Sequence, residues 1–292
     1  MKFRYSTDIH YAETRASFRK NRISEQGLSL LHQSIVNRDT DTAFFVNGGD
    51  LVQFERSTPT ELAQAWMRAV VDEYKKSGLP FHVTVGNYDI ERFGGLKQTA
   101  KFLDIPEKSY YFDHDGQHRV IVLNQEFQAV PNDQTLYPWS DENLELVRQA
   151  LHTAPSKSVT IFAHSPCDDF DWQQASTTLR GYNVSNNYRP NSSVLREIME
   201  ESGQNILFVA GHTHIEVFDQ HKNVKYITVQ GMTEVISKEN GQPYGRWIDV
   251  HRIGEDQIDV RVHGYKPHSL SWHYADNGDY PTYQPVMLLA AE

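Results

Sequence analysis

Apolar runs and polar turns alternate along the first three quarters of the chain. Five runs are strand-like and pass directly into Gly-rich or polar turns: Lys2–Thr7, Ala43–Asn47, Phe81–Val85, Val159–Ala163 and Ile206–Ala210. Helical periodicity between them predicts helices near Ser24–Asn37, Pro59–Lys76, Glu91–Leu103, Asp141–His152 and Ser192–Ser202. Strands that alternate with helices predict crossover connections and a mainly parallel sheet with helices on its faces.

The pattern changes after Val224, where helical periodicity ends and strand-like runs follow one another. These runs are Lys225–Gln230, Arg246–Ile253 and Gln257–Tyr265. We expect an antiparallel second sheet, within residues 218–267, that packs on the first sheet through an apolar layer. No flexible linker divides the sequence, so we expect one domain over residues 1–292, with the motifs in residues 1–217. The final segment, 268–292, is expected to wrap over the body.

Residue types that bind metal ions stand where the five early strands end. They are Asp8, His10, Asp50, Asn87, His164, His212 and His214. The carboxyl ends of parallel strands open onto one edge of a sheet, so these side chains can converge although they are distant in sequence. Their oxygen and nitrogen donors suit Mn, Fe or Zn, and Mg with less affinity. We expect two divalent ions, about 3.5–4 Å apart, that hold a bridging hydroxide for attack on a phosphoryl group.

Taken one at a time, these residues also have ordinary structural explanations. A lone Asp before a helix is usually a cap, and an Asn after Gly is usually a turn residue. A lone His at a strand end is more often a hydrogen-bonded surface or core residue. The joint occurrence at five strand ends favours metal ligation.

In order and spacing, these blocks resemble the calcineurin-like metallophosphoesterase superfamily. The signature of that family is Asp-x-His, Gly-Asp, Gly-Asn-His-Asp/Glu, His and Gly-His-x-His. The chain has Asp8-Ile9-His10, Gly49-Asp50, Gly86-Asn87-Tyr88-Asp89, His164 and Gly211-His212-Thr213-His214. The resemblance covers about residues 3–216. It implies an α/β fold, a four-layer αββα sandwich of two mixed β-sheets flanked by helices, with the metal site at the strand carboxyl ends.

The resemblance also implies how the ligands are shared. One ion would be bound by Asp8, His10, Asp50 and His214, and the other by Asp50, Asn87, His164 and His212, with Asp50 as the bridge. The implied catalytic residues are Asp50, Asn87, Tyr88 and Asp89.

Tyr88 departs from the family pattern, which has a histidine at this position. That histidine stabilises the phosphoryl group and protonates the leaving oxygen, and Asp89 would orient it. A phenol is a poorer proton donor than an imidazolium at neutral pH. Either the substrates have good leaving groups, or another group supplies the proton, with Asp168, Asp169 and a metal-bound water as candidates.

Candidate substrate contacts lie in polar segments outside the motifs. The long connection 173–190 contains Arg180, Tyr182, Asn187 and Arg189, which could face a phosphate or sugar. Asp168 could contact substrate or be solvated. The segment Tyr11–Arg22 is a basic island that could bind an anion or be a solvated surface.

Composition narrows the function further. The formal net charge of -10 argues against general nucleic-acid binding, because such proteins usually carry a basic face. The single cysteine, Cys167, cannot form an internal disulfide, and no apolar run is long enough for a membrane span, so we expect a cytoplasmic protein. No feature of the sequence indicates an oligomeric state.

We therefore predict a dinuclear metal-dependent phosphohydrolase. The favoured activity is that of a phosphodiesterase or pyrophosphohydrolase acting on a nucleotide-like small molecule, a phosphate ester or anhydride. In its motifs the chain looks most like the branch of class III cyclic-nucleotide phosphodiesterases and nucleoside-diphosphate-linked diphosphatases. The alternatives are a phosphomonoesterase and a catalytically inactive scaffold of the same fold.

Overall fold

Two six-stranded β-sheets form the centre of the protein. The computed structural model describes residues 1–13, 22–55, 57–125, 128–129, 135–136, 138–167, 191–214, 216–234, 245–264 and 266–274. The strands are β1 Lys2–Ser6, β2 Phe44–Asn47, β3 Phe81–Val83, β4 Tyr110–His114, β5 His118–Leu123, β6 Gln128–Ala129, β7 Thr135–Leu136, β8 Ser158–Ala163, β9 Asn205–Ala210, β10 Val217–His221, β11 Val224–Thr228, β12 Arg246–Ile253, β13 Gln257–Gly264 and β14 His268–His273. The helices are α1 Gly27–Val36, α2 Thr60–Lys75, α3 Asn87–Phe93, α4 Leu96–Leu103, α5 Asp141–His152 and α6 Ser192–Glu201, with a 3-10 turn at Ser24–Gln26.

Both sheets are mixed. The first has the order β14-β13-β12-β1-β2-β3, in which β1, β2 and β3 are parallel and the other neighbours antiparallel. The second has the order β10-β11-β9-β8-β5-β4, with a parallel centre of β11, β9, β8 and β5 and antiparallel strands at both edges. Strands β6 and β7 pair separately as a short hairpin.

The apolar residues form three layers of packing, which confirms the predicted αββα sandwich. Inward-facing residues of the two sheets, such as Phe3, Phe162 and Val250, form the central layer. Residues of α1 and α2, including Trp66, pack on the outer face of the first sheet. Helices α5 and α6 cover the second sheet, with Val147 among the buried residues.

The predicted membership of the second sheet is wrong for the strands at Arg246–Ile253 and Gln257–Gly264. These are β12 and β13, and they extend the first sheet, whereas Val224–Thr228 lies in the second. The reason is a long-range pairing: β12 binds β1 antiparallel, so that the inward-facing Phe3 lies beside the inward-facing Val250. The order of the runs along the sequence did not show that β12 would pair with β1.

The segment predicted to wrap over the body begins as a regular strand. Residues His268–His273 form β14 and pair antiparallel with β13. The rest of that segment, from residue 275, lies outside the described residues.

The helix predicted at Glu91–Leu103 is two helices. Gly94 and Gly95 adopt φ values of +80° and +122°, which break the helix between α3 and α4. Helix α3 begins at Asn87, so the third sequence block forms its first turn. No helix in the described ranges is long and apolar enough to cross a membrane.

His82 of β3 is a titratable group packed among aromatic rings at one edge of the sandwich. Its ring stacks on Phe112 with centroids 4.7 Å apart, and Nδ1 lies 2.9 Å from the Tyr110 hydroxyl. Burial lowers the pKa of His82 to about 4. The unfolded chain therefore binds this proton more readily than the folded protein does, and stability falls as the pH drops from about 6.5 towards 4.

The His82→Phe variant should lose less stability on acidification than the unmodified protein. We expect the difference between pH 7 and pH 4 to shrink by about 2–3 kcal/mol, because the buried titrating group is gone. Urea unfolding across this pH range measures it. Phe112→Leu is the matched control, since it disturbs the same ring stack but keeps the titrating imidazole. It should lower stability at every pH and retain most of the acid dependence. Parallel pH profiles for His82→Phe and the unmodified protein would contradict the assignment.

Candidate metal centre

The loops that follow β1, β2, β3, β8 and β9 meet at one end of the sandwich. Backbone hydrogen bonds tie them together: the Asp8 amide donates to the Gly49 carbonyl and the His10 amide to the Asp50 carbonyl, both at 3.0 Å. Across the two sheets, the Met232 amide donates to the Thr7 carbonyl at 3.2 Å. Loops from both sheets therefore form one continuous support.

Five of the predicted ligands have left-handed backbone conformations. The φ values of Asp8, His10, Asp50, His212 and His214 lie between 45° and 67°. Each such conformation costs on the order of 1 kcal/mol for a residue with a side chain, and it persists only where surrounding contacts enforce it. The loops are thus folded to direct these side chains inward.

Two glycines allow the loops to approach closely. A Cβ on Gly86 would overlap the carboxylate and backbone nitrogen of Asp50. A Cβ on Gly211 would overlap the Thr7 hydroxyl and the carboxylate of Asp8. The glycines of the sequence blocks are needed for this approach, because any side chain would separate the ligand-bearing loops.

One group of donors consists of Asp8, His10, Asp50 and His214, all buried. Its ligand atoms lie within 4.8 Å of one another. His214 Nε2 is 2.9 Å from Asp8 Oδ1 and 3.2 Å from His10 Nε2. His10 Nε2 is 3.5 Å from Asp50 Oδ2. We call this set the first cluster.

A second cluster consists of Asp50, His164 and His212, with Asn87 beside them. His164 Nε2 lies 3.0 Å from His212 Nδ1 and 3.1 Å from Asn87 Oδ1. It is 3.7 Å from Asp50 Oδ1. Asp50 therefore faces the first cluster with Oδ2 and the second with Oδ1, the orientation that a bridging carboxylate requires.

Hydrogen bonds on the far side of the histidine rings orient their ligand atoms. His164 Nδ1 lies 2.7 Å from the Gly48 carbonyl, and His214 Nδ1 lies 2.5 Å from Glu234 Oε1. Both partners can only accept, so Nδ1 carries a proton, and in the neutral form of each ring the Nε2 lone pair faces the cluster.

The electrostatics of the two clusters favour bound cations. Burial, together with the nearby Asp8 carboxylate, raises the pKa of Asp50 to about 8. Burial and Arg22 hold the pKa of His10 well below its ordinary value, and burial also lowers that of His164. Neutral imidazoles and a carboxylate destabilised by its neighbour are groups that a divalent ion stabilises.

The residues present fit divalent metal ions. When the His214 ring is neutral, with its proton on Nδ1, Asp8 Oδ1 and His214 Nε2 face each other as two lone pairs at 2.9 Å. The buried Asp8 Oδ1 has no hydrogen-bond donor within the described part of the chain. A cation between these atoms would remove both the repulsion and the unsatisfied acceptor.

Comparison with known sequences agrees with this geometry. The family model of the calcineurin-like phosphoesterases matches residues 1–216. The chain belongs to the calcineurin-like phosphoesterase family. No relative among curated proteins matches its sequence.

Solved structures share the calcineurin-like fold at low sequence identity. A structure of PhoD superposes with a TM-score of 0.60 at 9% identity, covering 94% of this chain and 70% of that one. Purple acid phosphatase PPD1 from yellow lupin (Lupinus luteus) gives 0.56 at 12%, covering 94% of this chain and 54% of that one. GAP50, described as the anchor in the inner membrane complex of Plasmodium, gives 0.50 at 13%, covering 94% and 88%. This chain thus spans about half the length of the lupin enzyme.

The structure brings all the predicted ligands of this calcineurin-like site into the two clusters. Tyr88, the departure from the family signature, lies beside the first cluster and is half-buried. Its ring contacts His10 edge-on, with centroids 4.9 Å apart, and lies 5.4 Å from the Phe54 ring. Its backbone amide donates to Asp50 Oδ1 at 2.9 Å, so residue 88 also helps to orient the bridge.

Asp89, predicted to be catalytic, makes contacts that give it a positioning role in the structure. Its carboxylate is fully buried and accepts three backbone hydrogen bonds, from the amides of Asp50, Leu51 and Gly86, at 2.9–3.0 Å. Asp89 therefore ties the third block to the second. These contacts position Asp50, and the catalytic role of Asp89 stays a prediction.

The sequence patterns did not identify Glu234, which lies near the first cluster, and they did not predict the burial of Arg22. Arg22, expected to bind an anion or to be solvated, is 2% exposed and its Nε donates to Glu234 Oε1 at 3.0 Å. Glu234, which also contacts His214, belongs to no family block. The available signal was its position, because it follows the run Lys225–Gln230 and Gly231 as the other ligands follow their strands and turns.

The predicted substrate contacts Arg180, Tyr182, Asn187 and Asp168 lie outside the described residues, as do Asp169 and Arg189. Their roles stay predictions. Cys167 is described and buried.

The Asp89→Asn variant should destabilise the metal-free protein by about 2–4 kcal/mol. A neutral amide has one accepting oxygen and cannot satisfy the three backbone amides that the carboxylate binds. Urea unfolding in the presence of a chelator measures this without a contribution from metal binding. Asp72→Asn, on the exposed face of α2, is the control and should change stability by about 0.5 kcal/mol or less. Equal stability of the two variants would contradict this positioning role of Asp89.

Proposed function

We propose that this protein is a dinuclear metal-dependent phosphohydrolase that cleaves phosphodiesters or pyrophosphates of nucleotide-like small molecules. The observation that carries the proposal is the position of Asp50, whose two carboxylate oxygens face two separate groups of buried donors. Family membership supports hydrolysis of phosphoric esters as the type of reaction.

The chain's own residues define what each cluster would hold. Asp8, His10, Asp50 and His214 would bind one divalent ion, and Asp50, Asn87, His164 and His212 the other, with Mn, Fe or Zn suited to these donors. Two such ions, when bound, supply Lewis acidity towards phosphoryl oxygens and a nucleophilic water at neutral pH. Asp89 and the Tyr88 amide hold Asp50 in the bridging orientation.

Tyr88 supports substrates whose leaving groups need little protonation. Its ring lies beside His10, so its hydroxyl can donate a hydrogen bond to a substrate bound at the first cluster. A phenol stabilises a phosphoryl oxygen in this way but is a weaker general acid towards the leaving oxygen than an imidazolium is. Anhydrides and esters with acidic leaving groups suit such a site.

Among the described residues, the charge near the site supports a phosphodiester over a phosphomonoester. Arg22 reaches the first cluster, but its guanidinium binds Glu234 and Gln53. A monoester dianion gains more from available cations than a diester monoanion does. The net charge of -10 supports a small-molecule substrate over nucleic acid.

The Asp50→Asn variant should lose more than about a thousandfold in turnover of bis(p-nitrophenyl) phosphate, because an amide cannot bridge two ions through two anionic oxygens. The assay uses metal-stripped protein with and without added Mn²⁺, and p-nitrophenolate leaves without a proton. Asp249→Asn, a substitution outside both clusters, is the control and should keep its turnover. Near-normal activity of Asp50→Asn would refute the proposed centre. If the unmodified protein binds metal but does not hydrolyse bis(p-nitrophenyl) phosphate, the alternative of a catalytically inactive scaffold is favoured.

The Tyr88→His variant should extend the substrate range towards diesters with poor leaving groups, by about ten- to a hundredfold in kcat, because an imidazolium is a stronger general acid than a phenol. A series of aryl and alkyl phosphodiesters measures the dependence of rate on leaving-group pKa. Tyr88→Phe is the control: it removes only the hydroxyl and should leave that dependence as steep as before. An unchanged slope in Tyr88→His would mean that another residue supplies the proton.

A further inference from the structure

A buried chain of polar side chains continues outward from His214. His214 Nδ1 lies 2.5 Å from Glu234 Oε1, and the same oxygen accepts from Arg22 Nε at 3.0 Å. Arg22 Nη1 donates to Gln53 Oε1 at 2.6 Å. All four residues are at most 8% exposed. Glu234, Arg22 and Gln53 are absent from the family signature. Together they form the surroundings of the predicted ligand His214.

These contacts join three loops that are far apart in sequence. Arg22 and Glu234 face each other across an isolated antiparallel β-bridge, and the Ile23 amide donates to the Thr233 carbonyl at 2.9 Å. Gln53 follows Asp50 by three residues and is fully buried. These hydrogen-bonded side chains therefore connect the loops after β1, β2 and β11 directly behind the first cluster.

Arg22 also restrains the ring of His214. Its Nη2 lies 3.3 Å from both Nδ1 and Nε2 of that ring. An atom equally distant from the two nitrogens lies over the ring and not along either lone pair. The guanidinium therefore blocks rotation of the ring, while Glu234 holds the edge that faces away from the first cluster.

We propose that Glu234 and Arg22 are positioning residues that fix the tautomer and orientation of His214, and so set the metal affinity of the first cluster. The proposal rests on the dinuclear centre proposed above. A carboxylate that accepts from a ligating imidazole makes the opposite nitrogen a better donor, and loss of such a partner costs about 10- to 100-fold in metal affinity.

The second cluster provides an internal comparison. Its His164 is oriented by the backbone carbonyl of Gly48, which side-chain substitution does not remove. Changes at Glu234 or Arg22 should therefore affect the first cluster selectively and leave the second close to its original affinity.

The chain also contains a matched constellation without metal ligands. Arg4 donates through Nε and Nη2 to Asp249, and His263 Nε2 lies 2.7 Å from the same carboxylate. This arginine–carboxylate–histidine set has the same chemistry as Arg22, Glu234 and His214. Asp249→Asn is accordingly the control for the general cost of breaking a mostly buried ion pair.

The experiment is a Co²⁺ titration of the metal-stripped full-length protein, followed by ligand-field absorption and by competition with a chelator. We expect two binding steps in the unmodified protein. In Glu234→Gln, one step should weaken about 10- to 100-fold and change its absorption spectrum, while the other stays within about twofold. Arg22→Met should weaken the same step, and Arg22→Lys should restore part of the affinity. Asp249→Asn should lower the unfolding temperature without changing either step.

The outcomes separate this inference from the proposed function. Two unchanged Co²⁺ affinities in folded Glu234→Gln and Arg22→Met would overturn the positioning role and leave the hydrolase proposal intact. Selective weakening of one step in a protein without phosphodiesterase activity would support the positioning role and count against the proposed reaction. An equal loss of Co²⁺ affinity in both steps, also seen in Asp249→Asn, would mean that Arg22 and Glu234 have only a general structural role. Unmodified protein that binds no Co²⁺ would overturn both proposals.

Discussion

The repulsion between two buried carboxylates is the constraint on which the rest of this structure depends. Asp8 and Asp50 are each at most 2% exposed, and the proximity of Asp8 is one cause of the raised pKa of Asp50. Burying two such groups together is unfavourable unless cations or donors compensate. The surrounding residues meet this requirement in two ways. Backbone amides and the Thr7 hydroxyl bind some carboxylate oxygens. The other carboxylate oxygens lie beside imidazoles in two clusters that could each hold a divalent ion.

The fold provides the rigidity that this arrangement needs. Left-handed backbone at five ligands is energetically unfavourable, and the loops that adopt it are tied to one another by backbone hydrogen bonds and by Asp89. Because the loops come from both sheets, the two clusters form only when the sandwich is closed. The apolar layer between the sheets therefore supports the site directly: it fixes the distance between Asp8, on the first sheet, and His212, on the second.

Hydrogen bonds behind the ligands distinguish the two clusters. His164 depends on a backbone carbonyl, whereas His214 depends on a carboxylate that is itself bound by an arginine. A backbone partner gives a fixed orientation, and a charged side-chain partner also adjusts the basicity of the ligand. Within one bridged pair of ions, such a difference would make the two positions unequal in affinity. The family signature contains the ligands but not Glu234 and Arg22, the residues on which this difference depends.

The sequence by itself determined the ligand blocks, the helices at Asp141–His152 and Thr60–Lys75, and the layered α/β architecture, because each depends on local spacing and on apolar periodicity. Tertiary structure decided which sheet Arg246–Ile253 joins, since that depends on pairing with Lys2–Ser6 across the length of the chain. It also decided that Asp89 is a buried acceptor of backbone amides, and that Arg22, which looks like a surface cation in the sequence, is buried beside Glu234. Spacing along a chain reports which face of a strand or helix a residue occupies. The partners that a buried charge finds come from distant segments, so only the folded chain defines them.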